Sequence, residues 1–517
     1  MPTPDQFRQV IEEGYTFKDP SFVLGGAMLG EETQTGTLVR IPLGTLNRHG
    51  LIAGATGTGK TKTLQIIAEQ LSRKGAPSLL MDIKGDLSGI AVASGGHPKI
   101  DERHAAIGMP FTASGSPVEL LTLSDEPGAR LRATVVEFGP VLFSKMLDLN
   151  DTQSGIVAVV FKYAEENALP LLDLKDFRKI LQWVTDGGKE EIESDYGRIS
   201  TASTGAIMRR IVELETQGAE RFFGETSFDV NDLTRLDELG RGMISILRLT
   251  DVQDKPKLFS TFMLQLLAEV YATFPEEGDL DRPKLVIFID EAHLVFEEAT
   301  DALLDQLEAI IKLIRSKGVG IFFVTQNPAD IPSDILGQLG LKIQHALRAF
   351  TAKDRKAIKL ASENYPITEF YDIDTVLTEL GTGEAFVTVL DRKGRPTPLV
   401  RTMLRAPESR MDVLTAAEIK GITSRSPLVR KYNEEIDRKS AYEILEKKME
   451  AATKAEHKAE MAEQQAKANK TSTRSRGREK SIFEQIMNNT TTRQIGRTVA
   501  REFTRGLLGI LGVKSRR

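Results

Sequence analysis

Eight consecutive residues, Gly54-Ala55-Thr56-Gly57-Thr58-Gly59-Lys60-Thr61, follow GxxxxGK[ST] in full, within LIAGATGTGKTKTLQIIAEQLSRKG. Glycines in such a turn let successive backbone N–H groups point inward around phosphate oxygens, at the positive end of the helix that follows. Lys60 supplies a cation for the β- and γ-phosphates and Thr61 a hydroxyl for Mg2+, with Lys62 beside them. The chemistry implied is binding of ATP with magnesium. A chance glycine-rich turn is the weaker reading, because a strand signal precedes these residues and a helix signal follows them.

A second group supplies carboxylates. LVIFIDEAH ends an apolar run in Asp290 and Glu291. Asp290 is expected to reach the metal opposite Thr61, and Glu291 to polarise the attacking water as general base. Alone, such a pair is equally a solvated strand end; with the P-loop it reads as hydrolytic. VGIFFVTQNPADIP ends another apolar run in Thr325-Gln326, and Gln326 is the candidate sensor of the γ-phosphate, against a capping amide as the plain alternative. Arg348 and Arg355, in HALRAFTAKDRKAIKL, are candidates for the arginine that such chemistry usually needs, each weighed against an ordinary surface arginine. Asp82 and Lys84, in LLMDIKGD, end a further strand; Asp82 is as compatible with a structural salt bridge as with the site, and neither is assigned to catalysis.

The elements expected to carry these residues are continuous apolar strands alternating with helices, the pattern of a parallel sheet covered on both faces. Strands are expected at SLLMDIKG, at 242–249, 284–290 and 319–326, with helices at 257–274 and 299–317. KIQHALRAF, GEAFVTVL and TPLVRTML extend the sheet to about 404. The fold class expected is α/β: a RecA-like P-loop core with a mainly parallel sheet, a helical insertion and a helical C-terminal tail. The organisation expected is a β-structured lead-in over 1–48, core at 49–98 and 241–404, helical insertion at 99–240, helical extension at 405–470, and a basic linker with an amphipathic tail helix at 471–517. That last stretch holds 11 Lys or Arg against 3 Glu, a net +8, and suits either an anionic partner or a solvated terminus.

Composition narrows the class further. Hydrophobic residues at 40% and charged residues at 27% are those of a folded globular chain, not a disordered one. With no cysteine, disulfides, thiolate metal sites and a cysteine nucleophile are excluded, and the six histidines show no paired ligand spacing. A net charge of −5 gives no global attraction to nucleic acid. The N-terminus lacks an apolar signal core and nothing approaches the ~20 apolar residues of a membrane span, so a cytoplasmic protein is expected.

Asp290 to His293 spell Asp-Glu-Ala-His, which resembles the DEAH-box helicases, but residues 62–289 separate this tetrapeptide from the P-loop and too little sequence follows for their second RecA-like domain. His293 is left either packing or coupling to Gln326. The order of P-loop, helical insertion, IDEAH and VTQNP, with VRIPLGTLNRHGLIAGATGTGKT and its His49, resembles instead the HerA/FtsK superfamily of ring-forming DNA-pumping ATPases over roughly 22–404. VVEFGPVLFSKMLDLNDTQSGIVAVVFKYAEE, LLDLKDFRKIL and the tail helix are similar to the bacterial HerA-like group. The resemblance implies a RecA-like core, a hexameric homo-oligomer, nucleotide between subunits and an arginine acting in trans, with Arg355 nearest that position and Arg348 the alternative. It also implies DNA as substrate and a nuclease partner, although only about 50 residues precede the P-loop, fewer than HerA's N-terminal β-barrel needs. A nucleotide-regulated assembly, protein-remodelling or membrane-associated ATPase without a DNA substrate is the competing expectation.

Overall fold

The computed structural model describes residues 3–450 apart from 252–254, 279, 297–300, 350, 435, 437–438 and 448. The described residues form two compact units, one from residues 3–131 and 228–434 and one from residues 132–227 with those described between 436 and 450.

The first unit is built on a sheet of twelve described strands in the order β2-β1-β12-β11-β10-β3-β9-β8-β4-β7-β5-β6. They are β1 (Ser21–Leu29), β2 (Glu32–Pro42), β3 (Gly50–Ala53), β4 (Ser78–Asp82), β5 (Val118–Thr122), β6 (Ala129–Arg130), β7 (Ile244–Arg248), β8 (Leu285–Ile289), β9 (Val319–Thr325), β10 (Leu341–Gln344), β11 (Glu384–Thr388) and β12 (Val400–Leu404). From β10 through β3, β9, β8, β4, β7 and β5 to β6 every pairing is parallel. At the other end β10, β11, β12, β1 and β2 pair antiparallel in turn. The central strands β3, β4, β8 and β9 are buried at every position, which is why they read as unbroken apolar runs and not as alternating ones.

The edges refine the expected organisation. The lead-in over 1–48, expected as a β-structured entry to the core, joins the core sheet where β1 pairs with β12, and the helix Pro4–Tyr15, capped by Thr3 and Gln6, precedes β1. That helix packs Phe7, Ile11 and Tyr15 into the core, and the Tyr15 hydroxyl lies 2.9 Å from the Val387 carbonyl. The insertion does not begin at 99, because β5 and β6 extend the sheet beyond β7. VELLT is five residues long and lies among turns, too brief for a strand period to stand out. Within the second unit the helices Val135–Met146, Asp151–Glu166, Leu174–Thr185, Lys189–Tyr196 and Thr201–Thr216 follow one another, around a core that includes Phe143 and Phe177, their ring centroids 4.7 Å apart.

Residues 405–415, placed in the expected helical extension, are instead an extended strap along the helix Lys60–Arg73, and the helices Ala416–Thr423 and Pro427–Tyr432 follow. Gln65, Glu69, Gln70 and Arg73 all bind Glu408, Ser409 or Arg410. The basic tail, 471–517, lies outside the described residues. No helix among the described residues is long and apolar enough to cross a membrane.

Candidate nucleotide site

Parallel pairing brings the carboxyl ends of β3, β9, β8 and β4 to one edge of the sheet. The register aligns Ala53 with Thr325, Ile289 with Phe323 and Met81 with Ile289. Whatever follows each strand meets its neighbours there, the usual place for a ligand in an open α/β sheet.

After β3 the chain turns through 54–59 into the helix Lys60–Arg73. Gly54 and Gly59 have φ of 151° and 113°, which a side chain resists, and a Cβ on Gly54 would stand 2.4 Å from the His345 Cβ. The loop is anchored at its start, where the Gly54 N–H donates to the Thr325 carbonyl at 3.2 Å and the Ala55 N–H to the Ala346 carbonyl at 2.8 Å. Lys60 lies only 7% exposed, its ammonium donating to the Gly54 and Ala55 carbonyls at 2.6 and 3.2 Å. Burial lowers its pKa, partly offset by the Glu291 and Asp290 carboxylates.

His345, which the sequence did not single out, supports this loop from below. Its Nε2 lies 2.9 Å from the Thr63 hydroxyl, and burial followed by the charge of Lys60 pulls it down to about 3. His49, noted before β3, is likewise structural, with its Nδ1 accepting from the Ile321 N–H at 3.0 Å and its Nε2 2.8 Å from the Ile311 carbonyl. Lys62, expected beside the nucleotide, turns to the strap instead and donates to the Met411 carbonyl at 2.7 Å.

At the end of β8, Asp290 is buried, and one of its carboxylate oxygens accepts from the Glu291 N–H at 2.9 Å. The other has no hydrogen-bond partner among the described residues. Burial first and the charge of Glu291 second raise Asp290 to about 7. An orphaned buried carboxylate oxygen fits a divalent cation, because a hard cation supplies the compensation that the protein withholds. Together with the Thr61 hydroxyl at the start of the P-loop helix, these residues fit magnesium.

Glu291 adopts φ of 45°, left-handed for a residue with a Cβ and thus strained, a feature that concentrates at functional sites. Its carboxylate is in contact with the Lys84 ammonium, and its other oxygen lies 3.3 Å from His293 Nδ1. Burial raises its pKa, but Lys84 foremost, with His293 and Lys60, together hold it below the usual value. His293 thus couples to Glu291. Asp82 does not form the salt bridge considered for it: its oxygens accept from the Gly85, Asp86 and Leu87 N–H groups at 2.7, 3.1 and 3.2 Å and shape the turn that carries Lys84.

Beyond β9, Asp330 accepts from the Thr325 hydroxyl at 2.6 Å and the Asn327 N–H at 3.1 Å, leaving Gln326 exposed between them. Gln326, Ala55, Thr56 and Arg348 line one cavity of about 440 Å³ beside the P-loop. Arg348 donates to the Thr378 carbonyl at 3.1 Å, whereas Arg355 lies exposed on the helix Ala352–Ser362 and does not line that cavity. The structure thus brings together Lys60, Asp290, Glu291 and Lys84, sets Gln326 and Arg348 on a neighbouring wall, and leaves Arg355 outside.

The DNA double-strand break repair helicase HerA of Sulfolobus acidocaldarius is 22% identical over 373 residues, which cover 71% of this chain and 67% of that protein. Its namesake in Sulfurisphaera tokodaii is 25% identical over 374 residues, covering 70% and 66%. The chain spans about two thirds of the length of these relatives. The bacterial conjugative coupling protein TrwBdeltaN70 has 15% identity and a TM-score of 0.49, covering 78% of this chain and 94% of that one. The helicase HerA-like C-terminal family matches residues 28–516, nearly the whole chain and all of the site just described, and the chain belongs to that family of P-loop ATPases.

Proposed function

We propose that this chain is an oligomeric motor, a six-membered ring by family resemblance, that couples hydrolysis of ATP to movement along or remodelling of DNA. The observation that carries the hydrolytic part is the convergence of Lys60, after β3, with Asp290 and Glu291, at the end of β8 one strand away, together with an Asp290 oxygen that has no hydrogen-bond partner among the described residues. The DNA part is supported by the curated relatives, which are named as DNA double-strand break repair helicases.

In this reading the backbone N–H groups of 54–59 and the Lys60 ammonium bind the phosphates, Lys60 leaving the Gly54 and Ala55 carbonyls to do so. Thr61 and Asp290 hold magnesium, which when bound supplies positive charge against the phosphate oxygens. Glu291 accepts a proton from water as the water oxygen attacks the γ-phosphorus and the bond to the β–γ bridging oxygen breaks. Gln326 orients that water, and Arg355, or Arg348 in its place, stabilises the transferred phosphoryl group of an adjoining subunit.

The test is steady-state ATP hydrolysis with and without duplex or single-stranded DNA across a salt series, beside Glu291→Gln. DNA-stimulated turnover that fades with salt and vanishes in the variant is the expected result. Mutant-sensitive turnover indifferent to DNA at every salt concentration sinks the DNA part and favours a protein-remodelling or assembly ATPase. Full turnover by Glu291→Gln removes the general base.

A further inference from the structure

Glu291 is held tightly by its backbone. Its N–H donates to Asp290, its carbonyl accepts from the Leu294 N–H at 3.0 Å, and the next N–H, of Ala292, donates to the Val324 carbonyl at 2.9 Å. These bonds fix where the side chain starts but not where the carboxylate ends. A glutamate has three rotatable bonds beyond the backbone, and a base that must face one water needs them settled before the reaction. The groups that meet the carboxylate are Lys84 on one oxygen and His293 on the other.

Lys84 is delivered from a different strand. β4 and β8 pair in parallel with Met81 level with Ile289, so the turn after β4 emerges beside the Asp290-Glu291 pair. Asp82 uses three backbone N–H groups to close that turn, and Gly85, at φ of 76°, lets it reverse. Lys84 is the residue the turn projects. Its side chain is 40% exposed while that of Glu291 is 6% exposed, so a cation reaches in from the solvent side onto a carboxylate already withdrawn from water. The contact holds a positive charge against one of the two carboxylate oxygens, and so favours the side-chain conformers that keep that oxygen beside Lys84.

We infer that Lys84 is a positioning residue for hydrolysis: its ammonium, set by the Asp82 turn, aims the Glu291 carboxylate at the attacking water. Lys84 acts through Glu291 and does not itself bind the phosphates. The inference rests on the hydrolytic reading of Glu291 proposed above.

The experiment compares the full chain with Lys84→Met, Lys84→Arg and Glu291→Gln. Each is measured for kcat, for KM of ATP, for equilibrium affinity of a fluorescent ADP analogue with magnesium, and for thermal midpoint. Lys84→Met is expected to lower kcat by about tenfold or more while KM and analogue affinity stay within about twofold and the thermal midpoint is unchanged, with Lys84→Arg recovering part of kcat. Unaltered or increased kcat in Lys84→Met, with Glu291→Gln inactive, overturns the positioning role and leaves the hydrolytic reading standing. A parallel fall in analogue affinity overturns it too, since Lys84 would then be a phosphate ligand. An active Glu291→Gln removes the reading on which both depend.

Discussion

The buried carboxylate of Asp290 carries opposite consequences for metal-free and metal-bound protein. Burial and the neighbouring Glu291 charge raise it to about 7, so near neutrality it binds a proton that magnesium must displace. Affinity for magnesium–nucleotide is expected to fall as pH drops below about 7, approaching tenfold per unit, and to level off above it. Titration of a fluorescent ADP analogue from the acid to the alkaline side reads this directly. An Asp290→Asn variant should bind weakly with no such bend, and a bend of the same size in that variant would assign it to another group. For the metal-free chain the sign reverses. A carboxylate whose folded pKa exceeds its unfolded one loses stability as pH rises from the unfolded value, near 4, through about 7. The P-loop and the Asp-Glu pair are legible in the sequence because their residue types and spacing are set by chemistry. Lys84 was not assigned, because its role depends on β4 lying beside β8, a pairing that a linear reading does not contain.

Strands carry most of what was readable. Those at β4, β7, β8 and β9 fall within a few residues of expectation, since strands buried on both faces must be apolar throughout. The strap at 405–415 was not legible. It is held by side chains of the P-loop helix rather than by any period of its own, and Glu69 is the main clamp, accepting from the Glu408 and Ser409 N–H groups at 2.9 and 3.0 Å. Glu69→Ala leaves these buried donors unpaired and is expected to cost about 3 kcal/mol. A shift in the urea midpoint would show it. A change under about 0.5 kcal/mol, the range of ordinary surface substitutions, would mean that the strap is held by Gln65, Gln70 and Arg73 alone.

At the scale of the whole molecule, an arginine acting between subunits must be presented outward. Arg355 and Arg348 are both exposed, and of the two Arg348 is drawn to the Thr378 carbonyl. Arg355→Ala is expected to keep nucleotide binding and lose about a thousandfold in turnover, and mixing it with Lys60→Ala protein should restore part of the activity. Additive, uncomplemented rates in the mixture would place the arginine's action within one chain, and full turnover by Arg355→Ala alone would dismiss it. The sheet itself imposes a further condition. β1 pairs with β12, Gly25 facing Leu404 and Met28 facing Arg401, so the β1–β2 hairpin is completed by the last of the described strands. During synthesis that hairpin leaves the ribosome long before its partner has been translated, and a chain arrested short of residue 404 carries an open backbone edge that a strand from another molecule can fill.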